Sequence, residues 1–285
     1  FPYTTLFRSP LGKEVYPTLK ANGLKQIATR TAGYDMVDLA AAKQNGLKVT
    51  NVPAYSPRSV AEHALMQIFR LLRKTPEVDR RVAENDYRWP GLQAKEIHSV
   101  TVGIIGVGRI GGTLATLLHA LNTRVLGYDL KPREEMEGIV EYVSKEELLR
   151  QSDVVSLHVD LNPTSEGLLT KAEFDQMKPG ASLVNASRGP VVNTADLINA
   201  LKDGPLAFAA LDTVEGEGPI FNADHRQDGL KGEPLVEELH AMNNVILTPH
   251  IAFFTNIAVQ NMVDISLDDV ITILNGQPSE HEVAN

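Results

Sequence analysis

The sequence from Val100 to Gly111 reads Val-Thr-Val-Gly-Ile-Ile-Gly-Val-Gly-Arg-Ile-Gly, an apolar run followed at once by three spaced glycines. The β-branched residues of the run predict a buried parallel strand. In a turn of this spacing, the first glycine allows a tight bend, the second lets the backbone approach a pyrophosphate and the third lets a helix pack closely. That helix is predicted by apolar residues at helical spacing, namely Leu114, Leu117, Leu118 and Leu121.

A second short strand follows at residues 124–129 and ends in Asp129, 18 positions after Gly111. A carboxylate at this place accepts hydrogen bonds from a ribose diol, and the N-terminus of the preceding helix favours phosphate. A glycine turn alone is a weak signal, because ordinary strand–helix turns also contain glycines. Since strand, glycines, helix, second strand and acid fall in this order, the stretch predicts a dinucleotide site.

The bulk composition limits the remaining possibilities. The 285 residues are 43% hydrophobic and 22% charged, and this length favours two globular domains. The net charge of −9 and the lack of a basic run argue against nucleic acid or an anionic membrane as a partner. The sequence has no cysteine, which excludes disulfides and thiolate metal sites, and no apolar run of membrane-spanning length. These features favour a cytoplasmic protein.

Helices and strands are predicted to alternate along the chain, which is the pattern of an α/β fold with a doubly wound parallel sheet. Ser144, with an acid three residues later, predicts the N-cap of one helix. A long helix predicted at Ser59–Lys74 is apolar on most sides, so it is buried within one subunit or in a contact between subunits. The seven strands of the sheet are predicted at residues 100–105, 124–129, 140–143, 153–159, 181–187, 207–211 and 245–248.

The first nine residues, Phe1–Ser9, differ in character from the rest of the chain. They resemble the translation of a sequencing adapter, and the chain begins with phenylalanine instead of methionine. We therefore interpret them as foreign sequence and exclude them from the fold prediction.

Three of the predicted strands end in residues that can take part in chemistry. Arg188 follows one strand, an acidic loop containing Asp212 and Glu217 follows a second, and His250 follows a third. Each of them alone has an ordinary structural interpretation, as a surface salt bridge, a solvated acid or a buried histidine. Because ligands bind beyond the carboxyl ends of the strands in such a sheet, the three loops together predict an active site.

Several motifs of the sequence resemble those of the NAD-dependent D-2-hydroxyacid dehydrogenases. Within this family, they resemble the D-lactate dehydrogenases most. The resemblance implies NAD as the cofactor and hydride transfer between NAD(H) and a small D-2-hydroxy acid or 2-keto acid, with D-lactate and pyruvate as the expected pair. It covers nearly the whole chain after Ser9. The motifs are Gly106–Gly111, Ser187-Arg-Gly-Pro190, Asp212-Thr-Val-Glu-Gly-Glu217, Thr248-Pro-His-Ile-Ala-Phe253, Tyr55-Ser-Pro57 and Ala61-Glu-His63.

The resemblance also implies a domain organisation. A Rossmann-like dinucleotide-binding domain, residues 55–253, is inserted into a smaller flavodoxin-like substrate domain formed by residues 1–54 and 254–285. Chains of the family begin several strand–helix units earlier, so we expect a substrate domain truncated at its N-terminus and a chain that binds NADH but reduces pyruvate poorly. The helix at Ser59–Lys74 is expected at the twofold contact of a homodimer.

The chemistry of the three strand-end residues suits the reaction. Arg188 binds the substrate carboxylate through its planar fork, His250 exchanges a proton with the substrate oxygen, and Glu217 is the carboxylate that orients it and stabilises the imidazolium. Glu215 is the alternative partner. For the cofactor, the resemblance implies Gly106, Gly108, Arg109, Ile110, Gly111, Asp129, Val159 and Asp212. For the substrate, it implies Ala32, Gly33, Tyr55 and Phe253.

The remaining polar residues receive ordinary interpretations. Asp160 departs from the family, many of whose members have proline there, and we expect it to alter the rim of the cofactor pocket. No metal-ligand spacing occurs, so no metal is predicted. Structural roles are expected for His63, His98, His119, His225, His240 and His281.

Two alternatives to a D-lactate dehydrogenase remain open at this point. The first is a D-2-hydroxyisocaproate-type dehydrogenase with a larger substrate pocket. The second is a dinucleotide-sensing scaffold resembling corepressors of this fold, which the intact set of Arg188, Glu217 and His250 disfavours.

Overall fold

The computed structural model of the chain describes residues 12–34, 36–230 and 232–283. The chain forms two compact units. The smaller unit runs up to Ser56 and resumes at Phe253, and the larger unit comprises Pro57–Ala252. The stretch interpreted above as foreign sequence, Phe1–Ser9, lies outside the described residues.

Helices and strands alternate as the sequence predicts. The helices are α1 (Val15–Ala21), α2 (Leu39–Gln44), α3 (Pro57–Leu72), α4 (Thr75–Ala83), α5 (Arg109–Ala120), α6 (Lys145–Gln151), α7 (Lys171–Phe174), α8 (Thr194–Lys202), α9 (Pro234–Ala241) and α10 (Asn256–Leu274). The strands are β1 (Gln26–Ala28), β2 (Lys48–Thr50), β3 (Thr101–Ile105), β4 (Arg124–Tyr128), β5 (Glu141–Tyr142), β6 (Val154–Leu157), β7 (Ala181–Asn185), β8 (Leu206–Leu211) and β9 (Val245–Leu247). None of the helices in the described part of the chain combines the length and apolar character needed to cross a membrane.

The larger unit is built on one sheet of seven parallel strands in the order β5-β4-β3-β6-β7-β8-β9. This confirms the predicted doubly wound sheet. The chain moves from β3 outward to β4 and β5, then returns to place β6 on the other side of β3. The order therefore reverses between β3 and β6, and their carboxyl ends flank the crevice in which such sheets bind ligands.

Successive residues of β3 face two separate hydrophobic cores. Ile104 packs on one side with Ile68 of α3 and Leu114 of α5. Ile105 packs on the other side with Leu148 of α6 and Leu197 of α8. The central strands β3, β6 and β7 are thus buried on both faces, which is why they are largely apolar instead of alternating. The apolar surface of α3 is buried to a large extent inside its own unit.

The structure differs from the prediction mainly at the ends of elements. The helix predicted at Ser59–Lys74 begins at Pro57 and ends at Leu72, and Lys74 takes a left-handed φ of 53° before α4. Pattern analysis missed α4 because this helix has no buried residue and hence no apolar stripe. The predicted cap is confirmed, since the Ser144 hydroxyl accepts the N–H of Glu147 at 3.1 Å.

The smaller unit contains a two-stranded parallel sheet of β1 and β2, against which α10 packs. Its core includes Tyr16, which is fully buried and accepts the N–H of Asp38 at 2.8 Å. Asp38 in turn caps α2 by accepting the N–H of Ala41. The C-terminal segment returns to this sheet, where the N–H of Val283 donates to the carbonyl of Val49 at 2.8 Å.

Candidate active site

In the glycine turn after β3, a side chain would clash with its surroundings at Gly106 and Gly111 but not at Gly108. Gly106 has a φ of +90°, and a Cβ there would lie 2.7 Å from the carbonyl of His158. A Cβ on Gly111 would lie 2.0 Å from the carbonyl oxygen of Gly106, so only glycine lets α5 begin this close to the strand. A Cβ on Gly108 would meet nothing within 4 Å. The turn therefore leaves room at Gly108 for a phosphate beside the N-terminus of α5.

Asp129 follows β4, and its carboxylate is held in a fixed orientation. Oδ2 accepts the N–H of Val107 in the glycine turn at 2.8 Å, and Oδ1 accepts the N–H of Lys131 at 2.9 Å. Each carboxylate oxygen can accept more than one hydrogen bond, so these two bonds orient Asp129 without excluding a ribose diol. The sequence predicts the acid, but not its direct bond to the glycine turn.

A cavity of about 280 Å³ lies beside this turn. Its lining includes Gly106, Gly108, Asp129, Val159 and Asp160. These residues follow β3, β4 and β6, where the strand order reverses. The cavity thus brings the phosphate turn and the ribose carboxylate into one site, and the residues present fit a dinucleotide.

Asp160 is exposed at the rim of this cavity. Its carbonyl oxygen accepts the hydroxyl of Ser165 at 2.5 Å and the side-chain amide of Asn162 at 3.2 Å. These bonds close the loop through a main-chain oxygen, which proline also has. Aspartate in place of the family's proline therefore adds a negative charge at the rim. The bonds that close the loop use only the main-chain oxygen of residue 160, so they do not depend on its side chain.

His158 forms part of the cavity wall and was given no role from the sequence. Its Nε2 lies 2.8 Å from the hydroxyl of Ser156. Its Nδ1 is buried and has no hydrogen-bond partner in the described part of the chain. Burial lowers the pKa of His158 to about 4, so the ring is neutral near neutral pH.

Arg133 is a second residue that the sequence did not reveal. Its Nη1 donates to the carbonyl of Gly108 at 2.8 Å, and Nε and Nη2 donate to Oε1 of Glu135 at 3.1 and 2.5 Å. The guanidinium therefore supports the open glycine of the turn from the loop after β4. No motif marks this position, because the contact depends on how that loop folds back.

His250 and Glu217 are hydrogen-bonded, with 2.6 Å between Nδ1 and Oε1. The other carboxylate oxygen of Glu217 accepts the N–H of Val214 at 2.8 Å, which fixes the acid in its loop. Glu215 is exposed, and its carboxylate lies 3.4 Å from the hydroxyl of Thr194. The fold thus brings Glu217, and not Glu215, against the imidazole.

Asp212 ties the segment that carries His250 to the end of β8. Its buried carboxylate accepts the hydroxyl of Thr248 at 2.5 Å, the N–H of Ile251 at 3.1 Å and the N–H of Ala252 at 2.9 Å. Its carbonyl accepts the N–H of His250 at 2.9 Å. His250 has a φ of +54°, a left-handed conformation that costs a non-glycine residue about 1–2 kcal/mol and persists only where surrounding bonds hold it. Asp212 supplies those bonds, and its predicted contact with the cofactor stays a prediction.

Arg188 follows β7, and its Nη1 donates to the carbonyl of Ser187 at 2.9 Å. A Cβ on Gly189 would lie 2.2 Å from the carbonyl carbon of Val214, so this glycine lets the loops after β7 and β8 touch. Arg188 and Glu217 therefore belong to two loops in contact, at the same end of the sheet as His250.

The first two predicted substrate residues, Ala32 and Gly33, lie in the loop after β1 of the smaller unit. The side-chain amide of Asn51 donates to the carbonyl of Ala32 at 2.7 Å, and the hydroxyl of Thr31 donates to the carbonyl of Gly33 at 2.6 Å. Side chains thus fix the backbone of this loop through its carbonyls. That leaves its N–H groups as the main-chain donors to be considered for a substrate.

The other two predicted substrate residues form an aromatic cluster in the same unit. The Tyr55 and Phe253 rings meet edge to face with centroids 6.4 Å apart, and Phe254 packs against Phe253 at 5.8 Å. The side-chain amide of Asn261 on α10 donates to the carbonyl of Tyr55 at 2.6 Å. The cluster is an apolar wall with one ring, that of Phe254, mostly exposed.

One histidine with an expected structural role proves to touch the support of His250. The Nε2 of His63 lies 3.4 Å from Oδ1 of Asp212 and 3.2 Å from the hydroxyl of Thr248. The sequence marks His63 only as part of the motif Ala61-Glu-His63 and does not reveal these contacts, because its partners follow strands far along the chain. Within the described residues, His, Asp and Glu form no group of three suited to a metal ion.

The model of the family described as D-isomer specific 2-hydroxyacid dehydrogenase, NAD binding domain, matches residues 65–252. A D-lactate dehydrogenase of Staphylococcus aureus is 40% identical over 273 residues, which span 95% of this chain and 82% of that protein. The structure of a D-lactate dehydrogenase from a Sporolactobacillus species is 52% identical, with a TM-score of 0.87 over 99% of this chain and 85% of that one. The structure of a D-2-hydroxyisocaproate dehydrogenase is 35% identical, with a TM-score of 0.89 over 99% and 86%.

The doubly wound sheet, the dinucleotide cavity and the histidine–glutamate pair at the same carboxyl end of the sheet define an NAD-dependent oxidoreductase. The chain belongs to the D-isomer specific 2-hydroxyacid dehydrogenase family. The resemblance stated from its motifs is thereby confirmed, together with NAD as the cofactor. The comparisons also favour the enzyme over the scaffold alternative.

Proposed function

We propose that this enzyme reduces pyruvate to D-lactate with NADH and catalyses the reverse reaction with NAD. The observation that carries the proposal is the 2.6 Å hydrogen bond between His250 Nδ1 and Glu217 Oε1, at the sheet edge that also bears Arg188 and the dinucleotide cavity. The names of two of the relatives, both D-lactate dehydrogenases, support pyruvate as the keto acid.

Three side chains divide the work. When bound, NADH supplies the hydride for C2 of the keto acid. Arg188 holds the substrate carboxylate with two charge-assisted hydrogen bonds from its planar fork. His250 gives a proton to the keto oxygen during reduction and takes it from the hydroxyl during oxidation. Glu217 fixes the ring through Nδ1, so proton exchange with the substrate falls to Nε2.

We propose that the dinucleotide-binding domain is residues 55–253 and that the substrate domain is formed by residues 1–54 and 254–285. The family match over residues 65–252 supports the first assignment. In the cofactor domain, Gly106, Gly108, Arg109, Ile110 and Gly111 hold the pyrophosphate. Asp129 binds the adenosine ribose, and Val159 and Asp212 line the rest of the cofactor site. The substrate is contacted by the backbone of Ala32 and Gly33 in the substrate domain, and by the Tyr55 side chain and the Phe253 ring, the first and last residues of the dinucleotide-binding domain.

We also propose a homodimer whose contact includes the helix at Ser59–Lys74. The support is an exposed apolar surface on and after this helix, which includes Met66, Tyr87 and Trp89, the last 87% exposed. Light scattering on the purified protein would test it, with Trp89→Glu expected to yield a monomer. We also propose a cytoplasmic location, which cell fractionation would test.

Initial rates with pyruvate, 2-ketoisocaproate and phenylpyruvate in the presence of NADH test the proposed reaction. We expect pyruvate to have the highest kcat/KM. A higher value for 2-ketoisocaproate would favour the second candidate, a D-2-hydroxyisocaproate-type enzyme, which the structural match to such a dehydrogenase supports. His250→Gln should lower kcat strongly while NADH binding, followed by fluorescence, stays near that of the wild type. Turnover of His250→Gln at the wild-type rate would contradict the assignment of the proton donor.

A further inference from the structure

A connected set of polar side chains runs inside the larger unit from α3 to the ends of β8 and β9. Nη1 of Arg70 donates to Oε1 of Gln67 at 3.1 Å. Nε2 of Gln67 lies 3.1 Å from Nε2 of His63 and donates to the hydroxyl of Thr248 at 3.4 Å. The Thr248 hydroxyl donates to Oδ1 of Asp212 at 2.5 Å. Gln67 and Asp212 are almost completely buried, and His63, Arg70 and Thr248 are partly buried.

The hydrogen bonds of this set fix the orientation of the Gln67 side-chain amide. Arg70 has only donors, so it fixes the amide of Gln67 with its oxygen toward the guanidinium and its NH₂ group toward His63. The two amide hydrogens then go to His63 Nε2 and Thr248 Oγ1. Because a hydrogen on His63 Nε2 would face the hydrogens of that NH₂ group, the pattern assigns Nε2 as an acceptor and the ring proton to Nδ1.

The charges around the ring act on His63 in opposite senses. Burial lowers the pKa of His63, the nearby Asp212 carboxylate raises it, and the Arg70 guanidinium lowers it further. Burial prevails over the attraction to Asp212, although the two side chains are only 3.4 Å apart. The net direction is downward, and neutral imidazole is the form that the hydrogen bonds require.

Other charged or titratable groups lie on the elements packed against α3. On α4, Glu77 pairs with Arg80 and Arg81, and Asp79 is exposed. α5, which packs along α3, carries Arg109 at its first residue and His119 near its end. The segment after β9 carries His250, which is paired with Glu217. β7 and the residues after it present Asn185 and Ser187 before Arg188. Arg70 and Asp212 are therefore the two charges that bear directly on the His63 ring.

We propose that His63 is a positioning residue of the reaction, held neutral by Gln67 so that the Asp212 carboxylate stays committed to the segment that carries His250. Protonation would turn Nε2 into a donor aimed at Oδ1 of Asp212 and Oγ1 of Thr248. The imidazolium would then compete with Thr248 and the N–H of Ile251 for the same carboxylate oxygen, and the left-handed turn at His250 would lose part of its support. The inference rests on the role proposed for His250.

This role predicts a loss of activity in acid that belongs to His63. Pyruvate reduction should fail at low pH, when His63 gains a proton. The pH dependence of kcat/KM should therefore have an acidic limb whose midpoint depends on the residue at position 67.

The test compares pH profiles of kcat/KM for pyruvate reduction in four variants, each normalised to its own maximum. In Gln67→Glu, a carboxylate beside the ring replaces the N–H donor and stabilises the imidazolium, so the acidic limb should move up by about one pH unit or more. Gln67→Met keeps a similar volume and removes the N–H donor without adding a charge, so its limb should move up by less than that of Gln67→Glu. His63→Gln does not titrate and should lose the limb. Gln277→Glu adds a carboxylate on an exposed part of the smaller unit and should behave as the wild type.

An acidic limb that stays in place in both Gln67→Glu and His63→Gln would overturn the proposal. A limb that moves equally in Gln67→Glu and Gln67→Met would also overturn it, because packing and not charge would then be the cause.

A second measurement does not need turnover. In protein labelled with ¹⁵N-histidine, the resonances lost in His63→Gln and His250→Gln identify the two rings. We expect His63 at pH 7 to carry its proton on Nδ1, and to become an imidazolium at a higher pH in Gln67→Glu than in the wild type. The His250 resonance should respond to the ionisation of His63 in the wild type. A proton on His63 Nε2 at pH 7, or a His250 signal indifferent to that ionisation, would overturn the inference even if pyruvate is reduced. Conversely, the expected resonances without turnover of any 2-keto acid would refute the proposed function alone.

Discussion

The two units of the molecule hold their proposed site residues in different ways. In the larger unit, Arg188, Glu217 and His250 follow strands of a seven-stranded sheet, and hydrogen bonds to buried or main-chain groups fix their loops. In the smaller unit, hydrogen bonds hold main-chain carbonyls, including that of Tyr55, whereas the Tyr55 and Phe253 side chains meet ring to ring. Hydrogen-bonded loops on a rigid sheet suit chemistry, for which atoms must lie within fractions of an ångström, whereas ring contacts suit an apolar wall. The difference predicts large effects for substitutions in the first set and small, substrate-dependent effects in the second.

The largest effect is expected for Arg188→Lys. Lysine keeps the positive charge but cannot form two parallel bonds to a carboxylate, so kcat/KM for pyruvate should fall on the order of a thousandfold, or about 4 kcal/mol. Steady-state rates measure it, and Arg124→Lys, on the exposed end of β4, is the matched control. A fall of less than tenfold would show that charge alone holds the substrate, and the contrast between the two units would lose its main support.

The positions of these three loops could be predicted from the sequence because topology determines them. In a parallel sheet, the carboxyl ends of all strands meet at one edge, so a residue directly after an apolar run is placed there whatever its loop does. The choice between Glu215 and Glu217 could not be predicted in this way. Both lie in one loop, and only its path, fixed by the bond from Val214 N–H to Glu217, brings the second acid to His250.

The next effect concerns the stability of the larger unit and comes from His158. Burial lowers the pKa of His158 to about 4, below the value of about 6.5 for an unfolded histidine. Between these pH values the unfolded chain binds a proton that the folded chain does not, so stability is lost as the pH falls. From pH 7 to pH 5 this amounts to about 2 kcal/mol of unfolding free energy.

Urea unfolding at the two pH values measures this term. His158→Gln should show a pH dependence weaker by about that amount, and His98→Gln, whose side chain is largely exposed, should not differ from the wild type. An unchanged pH dependence in His158→Gln would mean that the ring does not stay neutral in the fold. The buried polar groups of the larger unit would then be less rigid than the comparison between the units assumes.

A smaller effect is expected for Asp129→Ala. Removing the carboxylate removes both the bonds to the ribose diol and the like charge that repels a 2′-phosphate, so the preference for NADH over NADPH should narrow by about tenfold. The measurement is the ratio of kcat/KM for the two cofactors, with Glu134→Ala as a control for the loss of an exposed acid nearby. A wild-type preference for NADPH would contradict the assignment of Asp129.

Contacts that bridge distant segments were beyond the reach of the sequence. Arg133 reaches the carbonyl of Gly108, and His63 reaches Thr248, at positions 185 residues apart. Helix α4 could not be predicted for a different reason: it has no buried residue and hence no apolar stripe. In the smaller unit, Tyr55 and Phe253 were predicted as substrate residues only from the family resemblance. An aromatic residue in a loop has no sequence pattern that indicates such a role.

The smallest effect is expected in the smaller unit, for Phe253→Leu. Leucine is shorter than phenylalanine and keeps an apolar surface, so the wall should recede without exposing a polar group. The ratio of kcat/KM for phenylpyruvate over pyruvate should then rise by about three- to tenfold, the range that one or two methylene-sized changes in an apolar pocket allow. Phe254→Leu is the matched control, because this ring is mostly exposed and packs against Phe253 with the ring centroids 5.8 Å apart. If both variants change the ratio equally, the cluster acts through its packing and Phe253 is not the wall. If Phe253→Leu lowers pyruvate reduction as strongly as Arg188→Lys does, this ring positions the reacting atoms, and the division of labour between the two units is wrong.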